Sequence, residues 1–275
     1  MIRPIKAIMI RNLLKFVRNR LKLFLNIFMS SVFLFIFSFV IKATAHGLEN
    51  PMNYLISGVI IMTVFQSSLN NSMNILEDIS SGVMKEILVA PISRWEIAIG
   101  HVLSSAVISV LQGMIIVVIG LFMGLQLYWF SSLEMLGLML LVGLTFSSLG
   151  LFLATITKDS SNFQLLVSIV TFPLTFLSGA YIPTMVLPKF LIPIVYINPL
   201  TYATAAFRYV SLKMENLPLD TLVKTGIAID INGFVVTPIL SVLIIAIMCV
   251  VFLTLSVNRF KTADFSRIKV FRRMH

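Results

Sequence analysis

Charge is scarce in this chain. Only 12% of its residues are Asp, Glu, Lys or Arg, against about 25% in soluble domains. Hydrophobic residues make up 58%, and the mean hydropathy is +1.00. A soluble globular domain is excluded, and an integral membrane protein is what the composition allows. Cysteine is nearly absent. Cys249 stands alone inside an apolar run, which rules out a disulfide within the chain and reads as a small helix hydrophobe. Acidic residues number 11 against 21 Lys and Arg, for a net charge of +10. That excess is no footprint of nucleic acid, because the basic residues cluster where the positive-inside rule puts them.

Chemical motifs are missing too. There is no GxxxxGK[ST] phosphate loop, no HExxH or CxxC metal pattern and no GxSxG elbow. The three histidines lie far apart. Charged residues nearly vanish from the span centres, which argues against a carrier coupled to protons or sodium through intramembrane carboxylates. Energy must enter from outside the chain, or transport is passive.

What is present is organised around Glu77 to Glu96, EDISSGVMKEILVAPISRWE, a polar interruption between two long apolar runs. Gly82 turns the chain, and Met84 to Val89 forms a short amphipathic run. Pro91 disfavours helix at Ala90. Ser93-Arg94-Trp95-Glu96 fits a capping box, so a helix restarts at Ser93. A short helix braced between two spans on the water side is suited to docking another protein.

About 20 apolar residues cross a membrane, so six spans fit in 275 residues. Residues 1–22 read as an amphipathic interfacial helix. Arg11, Lys15, Arg18 and Lys22 share one face, with Ile10, Leu13, Leu14, Val17 and Leu21 on another arc. The cations are available to lipid phosphates. Two readings stay open: a plain membrane anchor, or a surface that also touches a cytoplasmic partner. The first span is Leu23 to Ile41, longer than a signal-peptide core and read as uncleaved. The second is Tyr54 to Leu76. Its Gln66, Asn70 and Asn74 recur every four residues beside a row of Thr63, Ser67 and Asn71. Such a stripe avoids lipid and serves either interhelical hydrogen bonds or a substrate route.

Ile97 to Leu127 is the third span, with His101 as a hydrogen-bonded interface residue and Gly120 and Gly124 as a packing pair. Leu133 to Ile156 is the fourth. Phe163 to Ile182 is the fifth, carrying Gln164, Ser168, Thr171, Thr175 and Ser178 on one face and a kinking Pro173. Pro183, Pro188, Pro193 and Pro199 then chop an apolar region into pieces too short to cross, which suits a re-entrant hairpin. Residues 213–235 read as a small outer cap. Thr237-Pro238 looks like an N-cap followed by proline at the first helical position. Ile239 to Val257 is the sixth span, and 258–275 is a basic tail. The expected fold is therefore an all-α integral membrane protein, with a transmembrane domain over 23–257 that includes a loop at 77–96 and an external region at 183–235. Sixteen Lys and Arg lie on one side of this layout and five on the other, which places both termini in the cytoplasm of a cell membrane.

Ile87-Leu88-Val89-Ala90-Pro91-Ile92-Ser93-Arg94, with Glu96 and Gly100, resembles the cytoplasmic loop of ABC-2 type transporter permeases. Leu177-Ser178-Gly179-Ala180-Tyr181-Ile182-Pro183, with Leu187-Pro188, resembles the same family. So do Asn198-Pro199-Leu200-Thr201-Tyr202 and Arg208. The resemblance covers essentially the whole chain, with the three motifs in order. It implies the permease half of an ATP-driven exporter: two permease subunits, either two copies or a homologous pair, and two separate ATP-binding subunits. ATP and magnesium would be held by the partner, with no cofactor, catalytic residue or metal site in this chain. It further implies that Lys85, Glu86, Ile87, Leu88, Pro91 and Arg94 couple to the ATPase. Thr63, Gln66, Asn70 and Asn74 with Gln164, Ser168, Thr171, Thr175 and Ser178 would line the pathway. Pro183, Pro188, Asn198, Pro199 and Tyr202 would close its outer end. Gly82-Val83-Met84-Lys85 departs from the Gly-Thr-x-Glu-like run of many members, which leaves the salt bridges of that helix open. A passive channel or ATPase-free carrier is the alternative. A lipid-modifying enzyme has only His101 with Glu96 to offer.

Overall fold

The computed structural model describes residues 2–44, 51–125, 129–157, 159–181, 187–214, 217–231 and 234–263. Almost all of it is helix. α1 (Ile2–Arg18) and α2 (Arg20–Thr44) meet at Asn19 with a 71° bend. α1 is two-faced in a way the sequence reading missed. Ile8, Asn12 and Phe16, one helical turn apart, are buried against protein, while the apolar arc of Ile10, Leu14 and Val17 stays exposed.

α3 (Pro51–Asn71) and α4 (Met73–Ser80) continue as one 30-residue apolar stretch broken only at Ser72. The Ser72 hydroxyl lies 3.2 Å from the carbonyls of both Ser68 and Ser147, a back-bond of the kind that bends helices. α3 is the hub. Most of its residues are buried, against α2, α6 (Arg94–Phe122), α7 (Trp129–Ile156) and α10 (Pro199–Ser211). α5 (Val83–Val89) sits between α4 and α6. α6 stops before the expected Leu127. The Leu125 N–H returns to the Gly120 carbonyl at 2.9 Å, and the Gly124 N–H to Leu121 at 3.1 Å. That Schellman ending gives Gly124 a capping role in place of the helix-packing role expected for it.

α8 (Ser160–Phe176) starts on Asp159, whose carboxylate accepts the Asn162 N–H at 2.7 Å. It runs three residues past Pro173 and ends six residues short of the expected boundary. α9 (Ile192–Ile197), preceded by a 3-10 turn at Lys189–Leu191, and α10 are both too short to cross a membrane. α11 (Leu219–Lys224) follows. β1 (Ile229–Ile231) pairs antiparallel with β2 (Phe234–Val236), Ile231 opposite Phe234. This short hairpin sits in a chain that is otherwise mostly helical, as expected. α12 (Pro238–Thr262) opens as expected, with Thr237 Oγ1 accepting the Leu240 N–H at 3.4 Å.

Among the described residues, four helical stretches are long and apolar enough to cross a membrane: 51–80, 94–122, 131–156 and 238–262. The bent pair α1–α2 makes a fifth if it is one broken span. α8, at 17 residues, is about 26 Å long at 1.5 Å per residue, just under the ~30 Å apolar thickness.

Candidate functional site

The short helix α5 is bounded by backbone conformations that side chains dictate. Gly82 precedes it at φ +84°, a region costly for other residues. Ala90 follows in extended conformation, as the residue before Pro91 should. Met84, 1% exposed, anchors the inner side of α5, and Ile87 and Leu88 are half-buried. Lys85, Glu86, Val89 and Pro91 face outward, with Val89 88% exposed. The Glu96 carboxylate accepts the Ser93 backbone N–H at 3.0 Å and the Ser93 hydroxyl at 2.6 Å. Arg94 is exposed and also bonded within the chain. Its guanidinium donates to the carbonyls of Lys261 and Ala263 at 2.8 and 3.0 Å, tying the start of α6 to the end of α12. It is a brace within the chain.

Beside this loop lies a cluster that periodicity alone did not announce. α1 docks on α4 and α6 around Asp78, whose side chain is 3% exposed. Arg11 pairs with Asp78. Lys15 Nζ lies 2.6 Å from Glu77 and 3.9 Å from Asp78. His101 Nε2 stands 3.7 Å from the far oxygen of Asp78. Asn12 Nδ2 donates to Ser104 Oγ at 2.8 Å and lies 3.4 Å from His101 Nδ1. A carboxylate this deeply buried is tolerable only because two cations reach it. Two of the four cations assigned to lipid phosphates, Arg11 and Lys15, therefore pair with carboxylates of the chain itself. The available signal was an i, i+4 pair of cations on α1 facing an adjacent Glu-Asp pair at a span end.

The two polar rows lie on α3–α4 and on α8, helices that touch one another. On α3, Thr63 is buried with Oγ1 3.2 Å from Ser30 Oγ of α2. Gln66 and Asn70 are half-buried and line a cavity of ≈ 60 Å³ reaching α2 and α6. Asn74 is buried in α4. On α8, Gln164 and Ser168 are exposed, Thr171 is half-buried, and Thr175 and Ser178 are buried. Ser178 lies beyond the helix end, its hydroxyl donating to the Thr175 carbonyl at 2.8 Å. Tyr181, just past α8, is what reaches the α3 cavity from that side.

The proline-rich region is held by a second cluster. Pro183 lies outside the described residues. Pro188 is exposed, and its carbonyl accepts the Leu191 N–H at 2.9 Å. Asn198 caps α10, accepting the Leu200 N–H at 2.9 Å while its Nδ2 donates to the Leu174 carbonyl at 2.9 Å. Pro199 takes the first helical position. The Tyr202 hydroxyl donates to the Tyr196 carbonyl at 2.5 Å, and the Tyr196 hydroxyl to the Asp230 carbonyl at 2.7 Å.

At the centre of this end is Arg208, 1% exposed. It donates to the carbonyls of Gly179 and Ala180 at 2.8 and 2.7 Å and to Tyr54 at 3.3 Å. Its guanidinium carbon lies 3.4 Å from the centre of the Tyr54 ring, a desolvated cation–π contact. Gly58 permits this approach, since a Cβ there would meet the Ala180 oxygen at 2.2 Å. The Gly179 and Ala180 carbonyls bond to Arg208 in a turn past the end of α8, where Gly179 takes φ +79°, which is why that helix ends early.

The ABC-2 type transporter family matches residues 3–212. A protein named as a transport permease, ycf38, of Cyanophora paradoxa is 30% identical over 165 residues, 58% of this chain and 56% of that one. The inner membrane transport permease YadH of Escherichia coli (strain K12) is 28% identical over 180 residues, 64% of this chain and 68% of that one. A protein named as a multidrug ABC transporter permease, YbhR, of the same strain is 23% identical over 162 residues, 58% and 44% of the two chains. The matched region spans about half the length of the ycf38 relatives. The match over 3–212 takes in the loop at 77–96, the turn after α8 and the Arg208 cluster together, and the chain belongs to the ABC-2 type transporter family.

Proposed function

We propose that this chain is the transmembrane permease subunit of an ATP-binding cassette exporter in the cell membrane. It works as a pair with a second permease copy or a homologue, and a separate subunit binds and hydrolyses ATP. Both termini and α5 lie in the cytoplasm. α2 and α8 complete a six-span frame, and α9–α10 dip in from the outside as a re-entrant hairpin. The substrate is a drug-like, lipid or glycan molecule moved outward along the polar rows of α3 and α8. The observation that carries this reading is α5 itself: a short helix fixed at both ends, with Lys85, Glu86 and Val89 exposed in a chain that has no phosphate loop of its own.

ATP binding would draw the two ATP-binding subunits together and press on α5. Pro91, Ser93 and Glu96 make the link to α6 stiff, and Arg94 passes the same displacement to the end of α12. The α1 cluster lies at the same end as α5, so α1 moves with it. Substituting Glu86→Lys with Val89→Asp tests this on the face that points outward, leaving the Arg94 brace intact. Copurification with the ATP-binding subunit should fall about tenfold, a change of roughly 1.4 kcal/mol, with membrane insertion unchanged. Val89→Cys should react with an impermeant maleimide only after cells are opened. Labelling of intact cells, or full ATP-dependent transport in the double variant, overturns the coupling role.

A further inference from the structure

The cavity between α2, α3 and α6 has the build of a ligand subsite. Its floor is Thr63, Ser67, Gln112 and Tyr181, all buried. Its rim is formed by Asn26 of α2 and Gln66 and Asn70 of α3, all half-exposed. Gln112 is 2% exposed, and its Nε2 has no hydrogen-bond partner among the described residues. A buried amide donor without an acceptor is costly, and such groups in folded proteins are normally satisfied by protein, water or a ligand. Among the described residues, every hydrogen-bonding side chain lining the space is an amide or a hydroxyl, and no Asp, Glu, Lys, Arg or His lines it. One wall is aromatic: Phe33 stacks on Tyr181 at 5.6 Å, and Phe37, behind that wall, stacks on Tyr181 at 4.7 Å.

We propose that this cavity is a subsite for an uncharged hydrogen-bonding group of the transported molecule, of the class carried by hydroxyl-rich heads such as glycosides. An ion brought here would lose its hydration and find no counter-charge. A hydroxyl both donates and accepts, so it satisfies the Gln112 donor and the amide oxygens of the rim together. The volume of ≈ 60 Å³ takes a few waters or one hydroxymethyl or carboxamide group. The rest of the head stands at the rim, against the half-exposed amides. The proposal rests on the export reading for the step from binding to transport only.

Binding is tested first, on the full chain in phosphatidylcholine nanodiscs without ATP or partner. The probe is octyl glucoside with a photoreactive diazirine in its chain, and labelled peptides are mapped by mass spectrometry. Label should concentrate on the α2 and α3 segments around Asn26 and Gln66. Unlabelled octyl glucoside should compete about tenfold better than octyl sulfate or octyltrimethylammonium. Gln112→Leu and Asn26→Leu should each cut labelling about fivefold, while Thr63→Ser, which keeps the hydroxyl, retains it. Asn26 is on the rim, so its variant reports even where Gln112→Leu does not fold. Label spread evenly over the lipid-facing side of α12, equal competition by the charged amphiphiles, or no loss in either leucine variant overturns the subsite and leaves export untouched. Selective labelling in a chain that never copurifies with an ATP-binding subunit upholds the subsite and sinks export instead.

Discussion

The two ends of the molecule each bury an ion, and they solve the problem differently. At one end Asp78 is neutralised by opposite charge, from Arg11 and Lys15 on a helix 67 and 63 residues away in sequence. At the other, Arg208 has no counter-anion within hydrogen-bonding reach among the described residues. Three backbone carbonyls and the face of Tyr54 do the work of its water shell. A charge pair joins two elements by a long-range, non-directional force. A carbonyl cage joins them by a fixed fork, which demands that the backbone be in place first. The Asp78 end is therefore suited to small displacements of α1, and the Arg208 end to rigidity.

Removing Arg208 should have the largest effect. Arg208→Leu leaves the Gly179 and Ala180 carbonyls without their donor in a buried site, and each such orphan costs about 1–3 kcal/mol. With the lost ring contact, destabilisation of about 3–5 kcal/mol is expected. The readout is loss of monodisperse protein after solubilisation and a collapsed thermal transition. Arg208→Lys keeps the charge but cannot bridge two carbonyls and the ring, so it should recover less than half. Full recovery by lysine would show that charge alone matters, and the contrast between the two ends would dissolve.

The Asp78 end should behave as a pair. Asp78→Asn strands Arg11, whose side chain is 36% exposed, so the cost is discounted to about 2–3 kcal/mol. The double swap Arg11→Asp with Asp78→Arg should restore a measurable part of it, read as a coupling in a double-mutant cycle. No swap can rescue Arg208, because its partners are backbone. Failure of the Asp78 swap, with a coupling below about 0.5 kcal/mol, would mean that shape rather than charge seats α1.

Local and non-local causes divide what was legible in the sequence. Gly82, Pro91 and the Ser93–Glu96 box bound α5, and Thr237-Pro238 opens α12, because each signal acts within a few residues of its effect. The early end of α8 was not legible, since the carbonyls involved bond to a side chain 29 and 28 residues onward. Arg208 was noted in a family motif and counted among the outer cations, but neither a motif nor a charge count carries information on burial. Asp78 was passed over because its partners lie on a helix whose docking cannot be read from its own periodicity. The β1–β2 hairpin is a different kind of miss. Asn232-Gly233 between two β-branched runs is a local turn signal, outweighed by the surrounding apolar helices. Gln112 joins the α3 cavity from α6, an element that the pairing of α3 with α8 left out.

Gly58 tests how rigid the Arg208 end is. Gly58→Ala places a methyl 2.2 Å from the Ala180 oxygen and 2.9 Å from Arg208 Nη2. Backbone, not a flexible side chain, blocks it, so about 1–3 kcal/mol of overpacking strain is expected, read as a lowered melting temperature. A neutral Gly58→Ala would show that the turn after α8 can shift, and would make this end as pliant as the other.

The smallest effect belongs to the outer half of the ionic cluster. Lys15 and Glu77 are 2.6 Å apart, but their side chains are 41% and 39% exposed. Water screens such a pair, and Lys15→Ala should cost no more than about 1 kcal/mol. Raising salt from 0.1 to 1 M shortens the screening length from about 10 to 3 Å, and should erase most of that small difference. The Arg11–Asp78 contribution, shielded on the Asp78 side, should persist through the same salt series. If both fade together, water reaches Asp78, and the cluster is an open surface bridge rather than a seat for α1.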